Sequence, residues 1–300
     1  MPTAPTPPGP SRDSGRPCGL WLGPASGAEL GFVLDCLRGR LELVECRTVA
    51  DAVAWEAAAG RRPGVVFLAA DRPGRWPLDA VVEATRRWPL ATLLGVMASL
   101  GEGRRRSGPV IGGIEEVAWH ELPGRLECWL AELAAGRAGA LAAPATARRE
   151  DRLLGALDSV MTVERGDLRA PVWLAGGRGA DLEGLADLLA LAGRRVAGTT
   201  CGRPPLDSVS PLIVWDVVAI GLDDLAWLRM VAANRPGAGI VLLESFPRGD
   251  STQAALRAGA SAVVGRPLTL EALEGTLRRL ERLTRESRAA TGLGVAQRRR

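Results

Sequence analysis

Two stretches of this chain repeat one rhythm, a short apolar run of strand length followed by a segment of helical period. From Cys18, CGLWLG, LELVEC, GVVFLAAD, ATLLGVMASL and EEVAWHEL read as strands. Leu30, Val33, Leu34 and Leu37 share one helical face, VADAVAWEAAAG and PLDAVVEATRRWP read as further helices, and GRLECWLAEL closes the series. The rhythm restarts at Ala170 with strands APVWLAGG, RRVAGTT, PLIVWDVV, GIVLLES and SAVVGRP. Its helices are DLEGLADLLALAG, LDDLAWLRMVAANRP, STQAALRAG (capped by Asp250) and TLEALEGTLRRLERL. Strands that are almost wholly apolar and alternate with helices need cover on both faces, which predicts a parallel sheet between helical layers. GLWLG answers VWLAG, and GVVFLAAD answers PLIVWDVV, so the chain reads as two tandem copies of one five-stranded α/β unit.

The expected organisation is a tail at 1–16, a first unit at 17–133, a linker at 134–169, a second unit at 170–284 and a tail at 285–300. The linker is low in complexity, but Leu153, Leu154, Leu157 and Met161 have helical spacing within it. In TTCGRPPLDSVS the second unit has too little chain for a full helical crossover.

Composition narrows the chemistry. The chain has no lysine, so its formal charge of +4 is carried by arginine. Those arginines spread over both halves, and only Arg104 to Arg106 and Arg298 to Arg300 cluster, so a nucleic-acid surface is not expected. The five cysteines are odd in number and form no C-x-x-C pair, which fits reduced thiols. The opening MPTAPTPPGPSRDSG has no apolar core for a signal peptide, and no apolar run reaches the ~20 residues needed to span a bilayer. A cytoplasmic protein is expected. Of the nine tryptophans, Trp21, Trp173 and Trp215 sit on predicted strands. Trp76, Trp88, Trp119, Trp129 and Trp227, if exposed on one face, would mark a contact surface.

One residue stands out. Asp216 ends the apolar run PLIVWD, and a carboxylate at a buried strand's end is costly unless something solvates, pairs or uses it. A dinucleotide site is one competing reading, because LAGGRGADLEG follows a strand and opens a helix. Gly177 and Gly179 would be its first two glycines. Leu182 replaces the third, Asp181 would repel a pyrophosphate, and Thr199, Thr200 and Cys201 supply no ribose-binding acid. No nucleophile elbow or zinc-binding spacing is present, so enzymatic activity is not expected.

Residues 170 to 283 resemble the receiver domain of bacterial response regulators. IVWD, ALRAGASAVVGRP and TLEALEGTLRRL carry the resemblance, and the first half looks like a more degenerate copy, a pseudo-receiver. The resemblance implies two flavodoxin-like, doubly wound domains of strand order 2-1-3-4-5, with the site at the carboxyl ends of strands one and three. It makes Asp216 the phospho-acceptor candidate. It puts Ala175, Gly176 and Gly177 where an acidic pair should hold Mg²⁺, Glu244 or Ser245 where a hydroxyl should bind the phosphoryl group, and Arg266 where a lysine should stand. Phosphoryl transfer to a carboxylate brings two anions together, and the metal offsets that charge. Asp216 with Glu244 is a weak metal set, and Arg266 can pair with Asp216 directly. In the first unit Ala69 fills the acceptor slot with Asp71 two residues on, Gly23 and Pro24 replace the acids, and His120 falls near the lysine position and reads as structural.

The expectation is therefore a non-enzymatic two-component signalling protein without a cofactor, acting through a protein partner or a second copy. A histidine kinase is among the partner classes the resemblance implies. It also implies an interaction surface through Leu256, Arg257, Val264, Arg266, Leu273 and Leu277. The alternative is a true phospho-acceptor using Asp216, Mg²⁺, Ser245 and Arg266.

Overall fold

The computed structural model describes residues 16–102, 114–137, 169–297 and six positions of the linker (151, 154, 155, 157, 158 and 160). The arginine runs at 104–106 and 298–300, and Leu153 and Met161, lie outside them.

The first unit runs β1 (Cys18–Leu22), α1 (Ala28–Arg38), β2 (Glu42–Cys46), α2 (Val49–Ala59), β3 (Val65–Ala70), α3 (Leu78–Arg87), β4 (Thr92–Met97), β5 (Glu115–Ala118) and α4 (Leu122–Ala134). The second runs β6 (Val172–Gly176), α5 (Gly179–Leu191), β7 (Val196–Cys201), β8 (Leu212–Asp216), α6 (Leu222–Asn234), β9 (Gly239–Glu244), α7 (Gly249–Arg257), β10 (Ala262–Gly265) and α8 (Leu270–Gln297). Each unit holds a five-stranded, all-parallel sheet. The orders are β2-β1-β3-β4-β5 and β7-β6-β8-β9-β10, so both sheets have the order 2-1-3-4-5 that was expected.

Local chemistry sets the element ends. Thr48 Oγ1 accepts from Asp51 N–H (3.1 Å) and Asp51 Oδ2 from Thr48 N–H (3.0 Å), a reciprocal cap that starts α2. Gly60, at φ +63°, ends it in the left-handed conformation. At α6 the Asp224 carboxylate accepts from Gly221 N–H (3.1 Å). The β7–β8 connection contains no helix, as its short sequence predicts. Helix α7 begins at Gly249 rather than after Asp250, because the Ser251 hydroxyl accepts from Arg248 N–H (3.3 Å) one turn earlier.

Two expectations change. Helix α8 continues to Gln297, where a tail from 285 was expected. An Arg282–Glu286 ion pair (2.9 Å) one turn apart supports that extension. In the linker, Leu154 and Leu157 are exposed. Among the described linker residues, Val160 is the one that buries, against Ala192 and Leu270.

Both faces of each sheet are covered. Trp21, Phe67, Leu94 and Trp119 form the largest first-unit cluster, and Leu174, Val214, Leu243, Leu273 and Leu277 form the corresponding cluster of the second. None of the nine tryptophans is exposed, which removes the tryptophan contact surface: five are buried and Trp55, Trp76, Trp173 and Trp227 are half-buried.

The units pack on one another through their closing helices, α4 against α8. The axes approach where both helices carry glycine. A Cβ on Gly275 would overlap the Gly124 carbonyl, and one on Gly124 would lie 2.5 Å from the Ala272 carbonyl oxygen. Arg125 is buried at the seam, with Nε donating to Glu271 Oε2 (2.8 Å) and the guanidinium also pairing with Glu115. Arg282 reaches Glu127 (3.0 Å), and Arg279 donates to Cys36 Sγ (3.4 Å). Among the described residues, no helix is long and apolar enough to cross a membrane.

Candidate functional site

Parallel pairing brings the ends of β6, β8, β9 and β10 to one edge of the second sheet. Gly176 is registered opposite Asp216, Asp216 opposite Leu243, and Glu244 opposite Gly265. Asp216 is thus the last strand residue of β8, at the mouth where the order reverses between β6 and β8.

Arg266 follows the last residue of β10, and its guanidinium donates to Asp216 Oδ2. Arg266 N–H donates to the Glu244 carbonyl (2.9 Å), which fixes the backbone from which the side chain reaches across. Burial pushes the Asp216 carboxyl above its ordinary range. Arg266 pulls it down, and nearby Asp181 raises it again. The pair therefore holds a half-buried carboxylate that burial alone would discourage.

The positions expected to hold metal acids do not fit a metal. A Cβ at Gly176 would sit 3.0 Å from the Asp216 Cβ and 3.1 Å from Leu182 Cδ2, so a larger residue is crowded there. Ala175 is buried in the core. Gly177 faces open space and offers no ligand. Among the described residues, no three His, Cys, Asp or Glu side chains come together as a metal set. Among the described residues, the Mg²⁺ expected under the phospho-acceptor alternative has no matching cage.

Glu244 and Ser245 divide the remaining expected position. Glu244 is buried, and its carboxylate accepts from Ile220 N–H (3.4 Å) and the Ser251 hydroxyl (3.3 Å). Burial raises its titration, and those two hydrogen bonds lower it. Ser245 is half-buried, and its N–H donates to the Val218 carbonyl (3.3 Å). Glu244 thus ties together the connections that follow β8 and β9.

The expected interaction surface requires correction. Val264, Leu273 and Leu277 are core residues: the helical spacing of Leu273 and Leu277 points them at the sheet, and Val264 lies in the buried strand β10 with its side chain in the same cluster. Leu256 is half-buried and Arg257 exposed, while Arg266 is engaged with Asp216. The outer face of α8 meets α4 of the same chain.

In the first unit the equivalent mouth is filled. Ala69 is fully buried, and Trp76 Nε1 donates to its carbonyl (2.8 Å). Gly23, at φ +112°, lies so close that a Cβ would be 2.8 Å from the same oxygen. Pro24 accepts from Trp21 Nε1 (3.1 Å), and Asp71 lies 3.8 Å from Arg72. His120 is buried between the units. Its Nδ1 accepts from Gly265 N–H (3.1 Å), and its Nε2 lies 3.1 Å from Glu102 Oε1. An accepting Nδ1 places the neutral ring's proton on Nε2, toward Glu102. Glu29 was not anticipated. Its carboxylate accepts from Ser99 N–H (2.8 Å) and, across the seam, from Gly249 N–H (2.9 Å) at the start of α7. An apolar-patterned helix with one acid in its first turn carried no sequence signal for that contact.

The proposed dinucleotide site is not supported by the fold. Five strands in the order 2-1-3-4-5 differ from the 3-2-1-4-5-6 arrangement of dinucleotide domains, and Asp181 lies beside Asp216 at the same mouth.

No family model and no curated protein matches the chain. Solved structures do. A response regulator receiver domain protein (CheY-like) from Methanospirillum hungatei is 16% identical, with 40% of this chain and 98% of that one covered and a TM-score of 0.33. The chemotaxis protein CheY4 of Vibrio cholerae is 20% identical over 37% of this chain and 98% of its own, at 0.33. A candidate pilus assembly protein (cpaE) from Burkholderia thailandensis is 27% identical over 37% and 98%, at 0.35. Each match spans about one unit's length. By strand order and by all-parallel pairing, the chain is two flavodoxin-like α/β units in tandem, with an aspartate at the end of the second unit's third strand.

Proposed function

We propose that the chain is a non-enzymatic signalling protein in a two-component context, acting by protein–protein contact rather than by phosphoryl transfer. The observation that carries this reading is the Asp216–Arg266 pair, with glycine at the two neighbouring positions where metal-holding acids belong. A carboxylate whose charge is already met by a guanidinium, with glycine where an acidic pair would hold the metal that offsets an incoming phosphoryl group, is a poor acceptor. In the first unit the Trp76 indole over Ala69 leaves no acceptor, so that unit serves as a pseudo-receiver. The exposed surfaces left after the closing helices have docked are then where a signalling partner binds, and no cofactor is required.

Incubation with acetyl phosphate and Mg²⁺ tests this. Intact mass is expected to show no phosphoryl adduct, in the wild type as in Asp216→Asn. An adduct that forms on the wild type and is lost in Asp216→Asn would replace this reading with the phospho-acceptor one.

A further inference from the structure

We infer that His120 and Glu29 of the first unit are positioning residues for Arg266, so that the first unit holds the Asp216 site closed. The inference rests on the reading of Asp216 and Arg266 as a latch. Two backbone N–H groups of the second unit flank that latch. Gly265 N–H, one residue before Arg266, donates to His120 Nδ1, and Gly249 N–H, at the start of the helix after Glu244, donates to Glu29 Oε1. Both acceptors belong to the first unit, and both donors lie on segments that line the Asp216 mouth.

The contact at Gly265 is built for close approach. A Cβ there would overlap the His120 ring, so only glycine lets the imidazole lie against the β10 backbone. The ring is in turn held by Glu102 at Nε2 and by the edge of Trp119, at 5.6 Å between centroids. The end of β10 is thus gripped from both sides. Arg266 N–H bonds to the Glu244 carbonyl within the second sheet, and Gly265 N–H bonds to His120 across the seam. Glu29 does the same for α7, where a carboxylate also complements the positive end of the helix. Ser251, in the first turn of α7, carries the hydroxyl that reaches Glu244, so the grip on α7 extends to the second carboxylate of the mouth. With both amides released, the backbone carrying Arg266 loses its outer support, and the guanidinium no longer has one fixed position over Asp216.

The test follows the Asp216 carboxyl by carbon-detected NMR in the full chain, comparing wild type with R266A, H120A and H120N. Asn carries an acceptor oxygen close to the position of Nδ1, so H120N is expected to keep the Gly265 contact. R266A is expected to move the Asp216 titration upward, because it removes the one charge that pulls it down. H120A is expected to reproduce most of that upward shift and to speed exchange of the Gly265 amide by about fivefold or more, while H120N stays near wild type. Should H120A fold poorly, E29Q combined with H120N, which weakens the α7 contact alone, is expected to give a smaller shift in the same direction. No shift in R266A would overturn the latch itself. A shift in R266A with none in folded H120A or in the E29Q variant would overturn the clamp and leave the latch standing.

Discussion

Replacing Gly275 with leucine is expected to force the two units apart. In an exposed helix interior, glycine to alanine gains about 1 kcal/mol. Here the sign reverses, because the added Cβ meets the backbone carbonyl of Gly124 and lies 3.0 Å from Cys128 Sγ. A carbonyl cannot rotate away as a side chain can, so the helices must separate. Overpacking of this kind costs about 1–3 kcal/mol, occasionally more. Alanine is therefore expected to lose about 1 kcal/mol net and leucine about 3 kcal/mol or more. Urea unfolding of the full chain reads this directly. The wild type is expected to unfold in one transition and Gly275→Leu in two, as each unit melts by itself. A Gly275→Ala variant more stable than wild type would show that the helices are not in contact.

Arg125→Met is expected to cost about 3–5 kcal/mol, the usual penalty for breaking a buried ion pair from one side. Burial works against the Arg125 charge, yet Glu271 and Glu115 outweigh it and keep the guanidinium firmly protonated. Without that guanidinium, Glu271 is 4% exposed with no opposite charge, and burial already pushes its titration upward. The sign with pH follows. In the variant Glu271 titrates higher folded than unfolded, so stability is retained while it is protonated and is lost as pH rises through the folded value. The deficit relative to wild type is therefore expected to be larger at pH 8 than at pH 5, and adding Glu271→Gln should recover part of it. A small, pH-independent deficit would mean that Arg125 does not bridge the seam.

The sequence made the sheets legible because their strands are unbroken apolar runs, and the helical stripes at Leu30–Leu37 and Leu270–Leu280 are regular. The pairing of Asp216 with Arg266 was also legible, because each sits at a fixed place after an apolar strand. The seam was not. Gly124 and Gly275 each interrupt a leucine-patterned helix, and by propensity alone a mid-helix glycine reads only as a weakness. That both closing helices carry one was the available signal. Arg125, Glu271 and Glu274 are charged residues on helices, which normally face water, and only docking and arginine partners explain their burial. Leu273 and Leu277 were misplaced on a surface although their own helical periodicity already pointed them inward, and Val264 although it sits in an unbroken apolar strand. The His120–Gly265 and Glu29–Gly249 contacts join residues 145 and 220 positions apart, and no local pattern encodes such a pairing.

The central claim is that residue 216 keeps a carboxylate without the neighbours that would let it hold a metal. Trp215 adjoins it, is 3% exposed and reports on that mouth. Titrating the full chain with Mg²⁺ while following tryptophan emission is therefore the most direct measurement. A flat response through millimolar Mg²⁺, the same in Asp216→Asn, is the result predicted. A saturable change that disappears in Asp216→Asn would contradict it.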